Sequence, residues 1–416
     1  MSEIIDKNTP TVPVAGGQAA SVEVPSYRQR QSLGQLLRND LGFIPVMLTL
    51  IAIVIFFAIT TNGVFIEPRN LSNLTLQIVT IGIDALGVSL VLLLGEIDLS
   101  VASVSTLCAV IMGILSERNG LPAWEAITLA ILTGALVGFI NGIFIAVLRI
   151  PSFIVTLAAS IGYAGLLLNL LAGQATLIIH DPALLAIAGS STSYLTNFLG
   201  IGLPTLALLL YIGGLVFDQA SRRRAGLRVK SVLQLVAQIV IAAVIVEGGV
   251  VLFQSYQGIP NATAILFFLI LIMWLVLTKT TFGRHIYAVG GNIEAARRAG
   301  INVVFIRVVV FTLCSTLAAV GGVLAASYGN AVASQINPTL LLDAIAAAVI
   351  GGVSLFGGRG SVWSIVLGVL IIGSLENGLD LKSQGSDVKQ MIEGAVLVLA
   401  VTVDALVRRA QARSGR

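Results

Sequence analysis

Charge is what this sequence has least of. Asp, Glu, Lys and Arg make up 11% of its 416 residues, against about 25% in an ordinary soluble domain. With 56% hydrophobic residues, such a chain is neither disordered nor an ordinary soluble enzyme. Cysteine is almost missing. Cys108 and Cys314 both lie in apolar runs, and no CxxC occurs. That excludes a disulfide framework and leaves no zinc or redox motif, so both read as small buried hydrophobes. The two histidines, His180 and His285, are too far apart to suggest a metal pair. None of the five lysines follows a glycine. The phosphate loop GxxxxGK[ST] is therefore absent, and with it ATP hydrolysis by that machinery. No GxSxG elbow is present. The chain is expected to bind no cofactor or metal of its own and no nucleic acid, and not to be an enzyme.

What is present is a series of apolar runs, at 42–61, 74–95, 99–115, 124–148, 152–174, 201–217, 231–253, 262–279, 306–327, 341–356, 361–376 and 389–407. A bilayer-spanning helix needs roughly 20 mostly apolar residues. The sequence thus predicts an all-α, polytopic integral membrane protein with about twelve spans. Three runs are short enough to be tilted or re-entrant, giving a range of ten to twelve. Residues 1–40 are polar and aperiodic and read as a cytoplasmic tail, with a candidate interfacial helix near 27–40. The transmembrane domain is expected over 41–408 and a short cytoplasmic tail over 409–416. Alternating the runs with the N-terminus inside places twenty of the 24 Lys and Arg residues on the inner side and four on the outer. The positive-inside rule then makes both termini cytoplasmic.

Intramembrane polar residues are expensive and usually face protein or water. Asp84 lies mid-run. Glu96, Asp98 and Ser100 sit at a break between runs. Gln77, Asn141, Asn169, Gln174 and Asn377 are uncharged polar groups in or just beyond runs. All nine are candidates for lining a translocation path, with Asp84, Glu96, Asp98, Ser100, Asn141 and Asn377 the six foremost. Two readings stay open for the break: a polar lining, or Asp98 or Ser100 capping the next span. Asp343 and Glu376 lie near run ends, where a solvated position is expected. Gly134, Gly138 and Gly142 repeat every fourth residue and predict a close-packing face. The glycines of 351–361 allow a tight reversal between short runs.

The largest polar inner segment is 279–305. Asn292 is a good N-cap, and Glu294 sits in a first turn, where the helix dipole favours negative charge. Ala295 and Ala296 follow as helix formers. Arg297 and Arg298 occupy the last turn, and Gly300 stops the helix. This spacing predicts a two-turn capped helix, either an ordinary connector or a knob for a peripheral partner.

Several segments together resemble one family. GEIDLSVAS at 95–103 is similar to the GGIDLSVGS stretch of bacterial monosaccharide ABC-transporter permeases. PSFIVTLA at 151–158, FGRHIYAVGGNIEAARRAGIN at 282–302, LDAIAAAVIGGVSLFGGRGS at 342–361 and SLENGL at 374–379 resemble further blocks, in the family's order. Glu96, and the extra length at 183–260, resemble the D-xylose branch. Ala102 and Arg298 depart from the usual glycine and leucine.

The resemblance implies a multi-pass subunit of the inner membrane that forms the sugar path and lies among membrane lipid. A second permease subunit, an extracytoplasmic sugar-binding protein and a separate ATP-binding-cassette ATPase would be its partners, ATP being used by the last. The 292–300 helix would then be the ATPase-coupling helix. An ion-coupled secondary sugar transporter, with Asp84 and Asp98 as proton carriers, is the rival reading.

Overall fold

The computed structural model describes residues 43–189, 193–227 and 229–413. The expected tail over 1–40, with its interfacial helix, lies outside them.

Apolar runs bounded by capping residues fold into helices. These are α1 (Phe43–Thr60), α2 (Pro68–Leu93), α3 (Val101–Glu117), α4 (Ala123–Ala146), α5 (Ser152–Leu170), α6 (Pro182–Ala188), α7 (Asn197–Arg224) and α8 (Val232–Gln254). Then follow α9 (Asn261–Lys279), α10 (Thr281–Gly291), α11 (Ile293–Arg298), α12 (Val303–Gly329), α13 (Pro338–Ile350), α14 (Val362–Leu381) and α15 (Ser386–Arg413). Local chemistry sets many starts. Proline occupies the first turn of α2, α6 and α13, where its missing N–H costs nothing. Ser231 and Gln234 form a reciprocal capping box on α8.

All twelve apolar runs fall on helices. Eight helices, α2, α4, α5, α7, α8, α9, α12 and α14, are long and apolar enough to cross a membrane. α1, α3 and α13 are apolar but shorter. α15 continues to Arg413, beyond the expected start of the tail.

Burial ranks these helices. The most apolar window of α2 is 89% buried, whereas those of α7 and α8 are 11% and 6% buried. α2 is therefore the central post. α12 packs against α4, α2 and α3, while α14 packs against α13 and α2. The α4–α12 seam depends on the predicted glycine face. A Cβ at Gly134 would stand 2.6 Å from Ala319 Cβ, one at Gly138 2.5 Å from Phe311 O, and one at Gly142 2.9 Å from Val308 Cα. Only a missing side chain lets the two backbones come this close.

Two short strands, β1 (Thr176–Ile178) and β2 (Ala331–Ala333), pair antiparallel with Leu177 opposite Val332. They tie the α5–α6 link to the α12–α13 link and mark one end of the bundle, the β end. α10 and α11 mark the opposite, α11 end.

Candidate translocation and coupling sites

At the β end, α2, α3, α12, β2, α13, α14 and α15 enclose a cavity of about 420 Å³. Its polar lining includes Gln77, Thr80, Tyr328, Asn337, Asp343 and Glu376. Asn337 caps α13 through Thr339 N–H at 3.1 Å, which starts the helix that presents Asp343. Asp343 is buried among the helices rather than out in open solvent, and it borders the cavity. Carboxylate oxygens of Asp343, Glu376 and Glu393 lie within 4.8 Å of one another. Among the described residues no other His, Cys, Asp and Glu converge at metal-ligand spacing. Lys389, ion-paired with Asp380, borders the same cavity.

The wall beside Glu376 is held by amides. Asn377 Nδ2 donates to Asn70 Oδ1 at 3.2 Å and to Gln77 Oε1 at 3.0 Å. Asn70 Nδ2 returns a bond to Asn377 Oδ1 at 2.8 Å. The reciprocal bonding fixes α14 on α2, and within a buried network each satisfied member rigidifies the others.

Towards the α11 end, the turn between α2 and α3 is pinned from several sides. Asp98 Oδ1 accepts from Ser100 N–H at 2.8 Å and from Ser100 Oγ at 2.6 Å. Leu99 N–H donates to Thr156 Oγ1 at 3.0 Å. Asn141 Nδ2 donates to Ser100 Oγ at 3.4 Å. Glu96 forms a partly buried ion pair with Arg307 on α12. Ser100 occupies the N-cap of α3 but makes no side-chain cap bond; Asp98 instead receives the Ser100 N–H.

Beyond this turn, three glycine-containing segments meet. Gly358 N–H donates to Leu93 O at 2.9 Å. A Cβ at Gly290 of α10 would overlap Leu93 O and stand 2.7 Å from Gly358 N. Tyr287 Oη donates to Gly360 O at 3.0 Å, and burial pushes its phenol above the ordinary value. α10 is thereby wedged onto the end of α2 and the 351–361 loop that leads into α14, and carries α11 with it. Asn292 caps α11 through Ala295 N–H at 2.9 Å. Glu294 pairs with Arg297 at 2.9 Å, Ala296 is buried, and Gly300 adopts φ +80°. Glu294, Arg297 and Arg298 are exposed on the outer surface of this short helix.

Of the sequence-derived site residues, the α11 set forms one compact element. The six foremost path candidates are divided. Glu96, Asp98, Ser100 and Asn141 share the α2–α3 turn region, Asp84 is fully buried within α2, and Asn377 belongs to the amide wall. None of the six lines the cavity directly, whereas Gln77, a further candidate from the sequence, does. Sequence reasoning missed Tyr328 and Asn337, and it missed α10 as a helix. Thr280 was an available signal, since its hydroxyl caps α10 through Gly283 N–H at 3.1 Å.

Residues 70–401 match the family described as branched-chain amino acid transport system / permease component. This chain belongs to that permease family. The permease is 36% identical to the xylose transport system permease protein of Escherichia coli over 360 residues, covering 86% of this chain and 91% of the relative. It is 32% identical to the ribose import permease protein of Bacillus subtilis, covering 82% and 87%. It is 28% identical to the fructose import permease protein of Rhizobium meliloti, covering 94% and 93%. No solved structure matches. The resemblance to bacterial monosaccharide ABC permeases is borne out. The permease is a multi-pass protein of the bacterial inner membrane and a transporter subunit, not an enzyme.

Proposed function

We propose that this permease is the membrane subunit of an ATP-driven importer for a neutral monosaccharide, D-xylose or a similar pentose. The similarity to a xylose permease over nine-tenths of that protein's length carries the sugar reading. Two copies of the chain make up the membrane part of the importer, and an extracytoplasmic binding protein delivers sugar to the β end. A separate ATPase docks on α11, whose exposed Glu294, Arg297 and Arg298 stand beside α10, the helix packed against the end of α2. Motion imposed on α11 thus reaches the α2–α3 turn by way of α10. In this reading all twelve apolar helices lie in the membrane, with both termini and α11 in the cytoplasm. The twenty-to-four division of basic residues supports that orientation.

Purification from native membranes in mild detergent, with mass spectrometry of bound proteins, tests the assignment. A Walker-type ATPase is expected alongside the permease, and ligand binding by the accompanying binding protein would identify the sugar. Reproducible absence of an ATPase from intact protein, with uptake that collapses along with the proton gradient at constant ATP, would favour the ion-coupled transporter instead.

A further inference from the structure

The cavity does not run through the bundle. Its floor lies where α12 meets α3: Ser105 and Gly322 both line it, and a Cβ at Gly322 would overlap the Ser105 carbonyl. Asp84 sits just past this floor. Gln77, Thr80 and Asp84 are three and four residues apart on α2 and therefore share one helix face. The first two line the cavity. The third is fully buried against α12, where a Cβ at Gly321 would stand 2.7 Å from Asp84 Oδ1. Neither carboxylate oxygen of Asp84 has a hydrogen-bond partner. Further towards the α11 end, Asp98 Oδ2 and Glu96 Oε2 are also buried and unpartnered. A buried acceptor without a donor is costly. Asp84 lacks a donor on either oxygen, whereas Asp98 and Glu96 are held through their other oxygens by Ser100 and Arg307 and keep one open oxygen each towards the α11 end.

We propose that the sugar passes along this face of α2, from Gln77 and Thr80 in the cavity to Asp84 beneath it, and that the α3–α12 contact at Ser105 and Gly321–Gly322 is the closed gate between them. The inference rests on the importer reading and adds the route and the gate. In the closed state Asp84 has no donor. When α12 parts from α3, sugar hydroxyls supply donors to its carboxylate, and the next acceptors are Asp98 and Glu96. Hydroxyl groups, which donate and accept, fit such a row. The cavity offers further hydrogen-bonding groups in Asp343, Glu376 and Asp380, beside Lys389.

Thiol labelling of the complete importer in right-side-out vesicles tests the gate. Cys108 and Cys314 are both 0% exposed, so the wild type sets a low background. Thr80→Cys should react with a membrane-impermeant methanethiosulfonate at rest. Asp84→Cys should react only with ATP inside and the binding protein and D-xylose outside. D-xylose uptake by Asp84→Asn should fall about tenfold, the scale of one lost hydrogen bond to a charged group, while the ATPase still co-purifies. Equal labelling of both cysteines at rest, or wild-type uptake by Asp84→Asn, overturns the route. Should Asp84→Asn fail to insert, the two labelling rates decide. A wild-type importer that takes up no monosaccharide overturns the importer reading itself, and the route with it.

Discussion

Glu96 and Arg307 are 211 positions apart and form one partly buried ion pair, with side-chain exposures of 9% and 22%. Removing one partner from such a pair strands the other charge. Arg307→Ala is therefore expected to cost about 3 kcal/mol, seen as a lower melting temperature of detergent-purified protein. Glu96→Gln combined with Arg307→Met should recover most of the loss; a double variant no more stable than Arg307→Ala alone would show that the pair is not the cause. The acidic character of residue 96 was visible in the sequence, but its partner was not, because an ion pair between distant segments leaves no local pattern. Asp343 shows the same limit. Its place near a run end suggested solvent, yet the face of α13 on which it lies turns it inwards. Depth along a run can be estimated from sequence, whereas the direction of one side chain depends on the neighbouring helices.

At the scale of elements, local signals were the most legible. α11 was expected from Asn292, Glu294, Arg297, Arg298 and Gly300, and the structure places its cap, ion pair and left-handed stop at those positions. Every determinant lies within nine residues, so no distant contact is needed to read it. Charge reversal at its tip, Glu294→Arg, should weaken co-purification of the ATPase and lower sugar uptake, while membrane insertion stays normal. Unchanged ATPase recovery and uptake would remove α11 from the coupling role. The α4 glycine face was equally readable. Gly138→Leu should separate α4 from α12, because the branched side chain would meet the Phe311 carbonyl and Ser315. Misfolded, aggregated protein on size-exclusion chromatography is the expected outcome. α10 escaped notice because Gly283, Gly290 and Gly291 look like loop residues. Gly283 and Gly290 are needed instead for backbone contact with Leu277 and Leu93.

For the whole molecule, the α7–α8 hairpin stands apart from the core. Its two helices pack chiefly on each other. The chain enters and leaves it side by side: Leu195 N–H donates to Ile259 O at 2.9 Å, and Asn261 N–H to Ser193 O at 2.8 Å. A short glycine–serine linker in place of 197–257 should therefore leave a folded protein. The expected result is near-normal expression and a melting temperature within a few degrees of wild type, since few core contacts are lost. Collapse of expression would mean that the hairpin holds the bundle together. The arrangement also gives a test of sidedness. A cysteine at Gln335, by β2, should be labelled by an impermeant reagent in intact cells, and one at Glu294 only after permeabilisation. The reverse pattern would invert the proposed orientation.

The sequence by itself determined that the chain is a multi-pass helical membrane protein, where its apolar helices lie, which glycines form a packing seam and to which family it belongs. These follow from composition, short-range capping and ordered motifs, none of which needs a third dimension. Tertiary structure alone decided that α2 is the central post, that Glu96 meets Arg307, and that residues from seven elements enclose one cavity ending above Asp84. In a chain whose helices are apolar on nearly every side, periodicity does not tell a lipid-facing surface from a protein-facing one. That choice is made only when the helices pack.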